Sequence, residues 1–284
     1  MPEAAPAAVP DALDRLREEL VRLGRVVVAF SGGADSAFLA KVAHDTLGAD
    51  RVLCVTAVSA SLAPEEADDC RRLAREWGLR WVGVPTDEMA DPAYVANGPD
   101  RCARCKSALM AGLLPLAADE GATVVLGVNV DDLGDHRPGQ QAAARQGARF
   151  PLVAAGLTKA EVRDWSRRLG LRTWDKPAAA CLASRIPYGT PVEIGTLRSV
   201  ARAESAVRAL GFGQLRVRHH GDVARLEVGA DQLADVLGRR HEVVAAVRGA
   251  GYRFVALDLE GFRSGSLNRA LAGGGPAAAG GGAG

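Results

Sequence analysis

The sequence predicts an α/β protein, a doubly wound parallel sheet followed by a smaller α+β domain. Two observations carry the first half. Short, largely β-branched apolar runs at 26–30, 52–58, 81–84 and 124–128 have the length and texture of strands buried on both faces. Segments with apolar residues three and four apart separate them, and strands that alternate with helices pair in parallel. A third observation carries the second half. Beyond about Pro187 the pattern turns to alternation, as in Leu215-x-Val217 and Ala224-x-Leu226-x-Val228.

Each element has its own signal. Leu13, Leu16, Leu20 and Leu23 mark an amphipathic first helix, with Asp11 as its cap. The strand at 26–30 runs into a helix from about Ser36. The strand at 52–58 is followed by a helix opening at Pro64-Glu65-Glu66, where proline suits the first turn and the acids face the positive end of the dipole. A helix from about Cys105 to Ala118 lies between the third and fourth strands. Thr158-x-x-Glu161 is a capping box for a helix reaching Leu169. After the boundary come a helix (Leu197, Val200, Val207, Leu210), a hairpin turning at His220-Gly221-Asp222, another helix, and a strand at 254–259. The expected organisation is a flexible start at 1–10, a nucleotide domain at 11–186, a second domain at 187–265 and a disordered Gly/Ala tail at 266–284.

Composition narrows the function. Apolar residues make up 48% of the 284 positions and charged residues 24%, enough for a real core. The formal charge of +1 argues against nucleic-acid binding through a broad basic surface. No apolar run approaches the roughly 20 residues of a membrane span, and residues 1–10 lack a signal-peptide pattern. A cytoplasmic location is expected. Of the 35 basic residues only Lys41, Lys106, Lys159 and Lys176 are lysines, a skew that reads as genome composition without functional content.

The sharpest signal is Ser31-Gly32-Gly33-Ala34-Asp35-Ser36 at the end of the first strand. Two glycines let backbone amides approach an anion, and the helix that follows aims its N-terminal amides at phosphate. It is neither a Walker A loop nor a Gly-x-Gly-x-x-Gly loop. The string resembles the pyrophosphate loop of the ATP-pyrophosphatase superfamily, whose members adenylate a carbonyl or carboxyl oxygen. Asp35 is then the oxygen ligand for magnesium on the pyrophosphate. The second strand's end, including Thr56, is expected beside the adenine and ribose, with strand-end capping an equal alternative.

The cysteines divide into two sets. Cys54 in a buried strand and Cys70 at helical spacing with Ala67, Ala74 and Trp77 read as core residues. Cys102 and Cys105 stand at a helix start among Arg101, Arg104 and Lys106, a setting that favours thiolate. With Cys181 they make three thiolates, suited to a [4Fe–4S] cluster or to zinc with a fourth ligand; a redox Cys-x-x-Cys is the alternative. Arg185, four residues beyond Cys181, reads either as a bidentate clamp on an acyl-adenylate or phosphate, or as a surface ion pair. From Arg198 to Arg225 six arginines face two acids, a local +4. Arg216 and Arg218 share a strand face there, either for a phosphate or as a solvated surface.

Together these residues resemble one family, the ATP-dependent sulfur transferases that mature the nickel-pincer nucleotide cofactor of lactate racemase, known as LarE. The resemblance runs from about residue 10 to residue 262. It includes the Ser31–Ser36 loop, Pro99-Asp-Arg-Cys102-x-x-Cys105-Lys106, and Asn129-x-Asp131-Asp132-Leu-Gly-Asp135-x-Arg137-Pro138-Gly139. It extends through Gly156-Leu-Thr-Lys-x-Glu161, Trp174-Asp-Lys-Pro177 and Cys181-Leu-x-Ser-Arg185-Ile-Pro-Tyr-Gly189. His136 departs from the aromatic expected before Arg-Pro-Gly. The resemblance implies a PP-loop (adenine nucleotide alpha hydrolase-like) fold. It also implies a homo-oligomer with pyridinium-3,5-biscarboxylic acid mononucleotide as substrate. The carboxylates would be adenylated, with AMP and pyrophosphate released, and converted to thiocarboxylates. Ser31, Gly32, Gly33, Asp35, Ser36, Thr56, Asn129 and Asp131 would surround ATP and Mg²⁺. Glu204, Arg216 and Arg218 would meet the substrate phosphate. Cys102, Cys105 and Cys181 would ligate a [4Fe–4S] cluster, as in the family's three-cysteine members, with Cys181 and Arg185 at the chemistry. The competing readings are an adenylating amide ligase of the NAD or GMP synthetase kind, which has no use for the three cysteines, and a tRNA thiolase, which the near-neutral charge disfavours.

Overall fold

The computed structural model describes residues 11–133, 138–177 and 180–263, Pro138 by its backbone alone. Expectations placed on residues 1–10, on Asp135, His136 and Arg137, and on the tail lie outside that set. The chain divides into two compact units, residues 1–180 and 181–284. The change of sequence texture had placed the division a few residues later, near Pro187.

The first unit opens with α1 (Ala12–Leu23), where the Asp11 carboxylate accepts the Asp14 amide at 2.9 Å. Strands β1 (Val26–Ala29), β2 (Val52–Val58), β3 (Trp81–Pro85) and β4 (Thr123–Leu126) form one parallel sheet in the order β3-β2-β1-β4. Val26 of the central β1 stands level with Val52 on one side and Thr123 on the other. Parallel pairing demands crossovers, here α2 (Ala34–Leu47), α3 (Pro64–Glu76), α4 (Pro92–Val95) and α5 (Arg101–Asp119). Beyond β4 follow α6 (Pro138–Arg145), α7 (Pro151–Ala154) and α8 (Lys159–Arg168).

Side chains alternate across a strand, so β1 feeds two cores. Val26 and Val28 pack with Leu16, Leu20, Phe38, Leu39 and Val162. Val27 packs with Leu53, Met110, Leu113 and Val124 on the other face. This explains the unbroken valine run, since neither face of β1 meets water at Val26, Val27 or Val28. Full burial of each such side chain is worth roughly 1.5–3 kcal/mol. The sequence placed the start of α5 at Cys105; it begins four positions earlier, at Arg101, because the Gly98-Pro99-Asp100 turn already directs the chain into the helix.

The second unit contains α9 (Ile194–Ala209), β5 (Leu215–His220), β6 (Val223–Val228), α10 (Leu233–Gly238), α11 (Arg240–Gly249) and β7 (Phe254–Leu257). Its sheet runs β5-β6-β7, antiparallel in the hairpin and parallel between β6 and β7. Val207, Phe212, Val217, Leu226 and Val247 close its own core. β7 stops at Leu257, not at residue 259. There the chain turns, and the Phe262 amide returns to the Val228 carbonyl at 2.7 Å. Among the described residues no helix is long and apolar enough to cross a membrane.

Candidate active site

The loop between β1 and α2 lies at the C-terminal edge of the parallel sheet, where ligands of such sheets bind. Gly32 takes φ +68°, a conformation side chains resist, and a Cβ there would stand 2.9 Å from Cys70 Sγ. Gly33 caps α2 without a side chain, so the first-turn amides keep no side-chain acceptor of that kind. Ser36 staples the loop: its hydroxyl accepts the Ser31 amide at 3.2 Å, reaches the Gly33 carbonyl at 3.2 Å and meets Ser31 Oγ at 3.0 Å. Ser31 and Ser36 thus shape the cradle as well as line it.

Asp35 occupies the first turn of α2 beside the end of β4. Asn129, fully buried, donates its side-chain amide to Asp35 Oδ1 at 3.0 Å. Asn129 is itself fixed by Asp132, which accepts the Asn129 backbone amide at 3.3 Å and returns its own to Asn129 Oδ1 at 3.2 Å. Burial pushes the Asp35 carboxyl above its ordinary value and Asp132 adds to the shift, against the opposing pull of Asn129 and Lys159. An aspartate whose charge is disfavoured by burial and by a neighbouring carboxylate is a setting a divalent cation relieves. Magnesium needs one or two carboxylates in addition to phosphate oxygens, so the donor set fits it. Gly127 completes the approach, since a Cβ there would meet the Ser36 nitrogen at 2.8 Å and the Asp35 carbonyl carbon at 2.9 Å. The sequence reading overlooked Gly127 and Asp132 as site residues. Their signal was the position just past a strand run.

The Thr56 hydroxyl donates to the Phe30 carbonyl at 2.6 Å and accepts from Trp81 Nε1 at 2.9 Å, the strand-end capping that was the equal alternative for it. Asp131 is exposed and accepts the Lys159 amide at 2.6 Å, which ties the segment after β4 to the start of α8. Cys54 and Cys70 are buried core residues, as expected, and burial pushes Cys54 up to about 12. Cys102 is exposed and Cys105 half-buried in the first turns of α5. Of the cations expected to favour their thiolates, Arg101 is buried and donates to Asn97, and Arg104 pairs with Asp100 and Asp91.

The second unit opens with Cys181, half-buried, whose carbonyl accepts from Arg185 Nη1 at 3.0 Å. Arg185 is no surface pair. It is 3% exposed and forks onto Glu204 at 2.8 and 3.0 Å. Glu204 also accepts Arg208 at 2.8 Å and the Val217 amide at 3.1 Å. Burial acts to raise Glu204, but the Arg185 fork outweighs it and holds the carboxylate below its usual range. Arg218 forks onto buried Glu227 at 3.0 and 2.8 Å and reaches the Ser184 carbonyl at 2.8 Å; Arg225 shares Glu227. Glu204, Arg185 and Arg218 are therefore held in buried ion pairs. Arg216 differs. Its guanidinium lies 5.1 Å from the centre of the Phe262 ring, and burial, followed by Arg185, Arg218 and Arg208, depresses it to about 10. Five guanidinium groups against three carboxylates, Glu204, Glu227 and the Asp258 that Arg225 meets at 3.4 Å, leave two positive charges here, an environment that attracts an anion.

Three thiols suit an iron–sulfur cluster in kind. Among the described residues, however, no group of three His, Cys, Asp or Glu side chains is placed to hold a metal ion.

Comparison with known proteins agrees with the loop geometry. The NAD synthase family model matches residues 11–97. An uncharacterized protein of Synechocystis sp. is 46% identical over 91% of this chain and 97% of its own. The pyridinium-3,5-bisthiocarboxylic acid mononucleotide synthase of Lactiplantibacillus plantarum is 40% identical over 88% of this chain and 91% of its own. The tRNA-specific 2-thiouridylase MnmA of Acidiphilium cryptum is 28% identical over 82% of this chain and 80% of its own.

Proposed function

Since the chain belongs to the LarE family of pyridinium-3,5-bisthiocarboxylic acid mononucleotide synthases, we propose that it is an ATP-dependent sulfur transferase acting in the cytoplasm on the carboxylates of pyridinium-3,5-biscarboxylic acid mononucleotide. The observation that carries this reading is the cradle at the start of α2, with Asp35 held by Asn129 at a helix start whose cap, Gly33, offers no side-chain acceptor. A carboxylate oxygen is a poor leaving group. Attack of that oxygen on the α-phosphorus of ATP expels pyrophosphate and leaves an acyl-adenylate, from which AMP departs readily when a sulfur nucleophile adds to the acyl carbon. The loop amides and the α2 dipole stabilise the pyrophosphate charge as it develops. Magnesium, held by Asp35 with phosphate oxygens, would neutralise part of that charge.

In the second unit Arg216 receives the mononucleotide phosphate, and the buried ion pairs of Arg185 and Arg218 keep its surroundings rigid and positive. Cys102, Cys105 and Cys181 handle the sulfur. Iron and sulfide counted in anaerobically purified protein test separately whether these thiols carry a [4Fe–4S] cluster. An amide ligase needs none of these thiols.

The test of the adenylation reading is Asp35→Ala. Substrate-dependent pyrophosphate release should fall by about a hundredfold or more, with the fold retained by circular dichroism. Unchanged release by the folded variant overturns the reading.

A further inference from the structure

The scarcity of lysine has a structural counterpart. Lys41 pairs with Asp45 on the outer part of α2. Two of the other three stand at the phosphate loop: Lys159 acts electrostatically on Asp35, and Lys176 reaches Gly32. In a chain that otherwise uses arginine, this placement selects the compact ammonium group, which binds as a point charge where a planar fork does not fit.

Lys176 is the sharper of the two. Its Nζ lies 3.8 Å from the position a Cβ on Gly32 would take. It is held there by Glu66 Oε2 at 2.8 Å and Asp69 Oδ2 at 2.7 Å, both on α3. Asp69 is balanced a second time by Arg172 at 2.8 Å. Asp69 therefore keeps a cation if Lys176 turns away, and Glu66 retains solvent access, so the ammonium can exchange a partner at small cost. The loop itself contains no cationic side chain.

We propose that Lys176 binds the pyrophosphate half of ATP, its ammonium stored at the Gly32 turn by Glu66 and Asp69 until phosphate oxygens replace one of those contacts. This rests on the ATP reading above and assigns a residue that reading left unused. AMP lacks the β- and γ-phosphates, so the two nucleotides separate the possibilities. Calorimetric titration with MgATP and with AMP, without the mononucleotide, should show Lys176→Met weakening ATP by about tenfold or more and AMP by less than about twofold. Glu66→Gln removes a storage partner but keeps the ammonium, and should bind ATP as well as the parent protein or better. Lys176→Met with unchanged ATP affinity overturns the proposal. So does equal weakening of ATP and AMP, or a loss in Glu66→Gln matching that in Lys176→Met, because each marks the ion pairs as mere scaffolding. If the parent protein binds no ATP, it is the adenylation reading that fails first.

Discussion

At the scale of single residues, the arginines of the second unit separate into two kinds. Arg218 is buried and fully engaged by Glu227, while Arg216 stacks on Phe262 amid uncompensated positive charge. Removing one partner of a buried ion pair strands the other. Arg218→Ala should therefore destabilise the protein by about 3–5 kcal/mol in denaturant unfolding. Arg216→Ala should cost under about 1 kcal/mol of stability and instead weaken mononucleotide binding. Equal stability losses in the two variants would remove the distinction. Sequence alone placed both on one strand face and stopped there. Their carboxylate partners lie on other elements: Glu227 on the paired strand, and Glu204 for Arg185 on a helix nineteen positions away. Spacing does not reveal which charges a fold buries together. Thr56 shows the same limit, since its acceptor, the Phe30 carbonyl, belongs to a neighbouring strand end.

At the scale of elements, α3 is tied to the segment after α8 through Asp69, which meets Lys176 at 2.7 Å and Arg172 at 2.8 Å. Burial alone would raise Asp69, but these two cations dominate and lower it from 3.8 to about 2. The sign of the pH effect follows. A carboxylate with a depressed folded value stabilises the fold fully above its unfolded value and loses that contribution as pH falls from about 4 towards 2. After allowance for solvent screening the contribution is about 1 kcal/mol. Measured by urea unfolding, the parent protein should lose more stability across that interval than Asp69→Asn, whose curve should be flatter by this amount. Parallel acid limbs would contradict it. The elements themselves were legible. Valine-rich runs gave the strands, the Thr158–Glu161 capping box marked α8, and Pro64 marked α3. The start of α5 and the end of β7 were misplaced because the turns that set them, at Gly98–Asp100 and Asp258–Gly261, compete with helix and strand periodicity locally.

At the scale of the whole molecule, the near-neutral total conceals two separate charge environments. One unit gathers backbone amides and the Asp35 carboxylate for a nucleotide with its cation; the other gathers guanidinium groups for an anion. The phosphate loop was readable from the string Ser31–Ser36 because strand, glycines and helix start are contiguous in sequence. The support beneath it, from Asn129, Asp132, Gly127 and Lys176, comes from distant segments and became visible only in the fold. The central claim is that the chain replaces carboxylate oxygen with sulfur through an adenylate. Mass spectrometry of the mononucleotide after incubation with anaerobically purified protein and MgATP tests it most directly. The account predicts a product in which a carboxylate oxygen has been exchanged for sulfur, formed only with ATP and accompanied by AMP and pyrophosphate. A product carrying nitrogen in that position when ammonia is supplied, or thiocarboxylate formed without ATP, would contradict it.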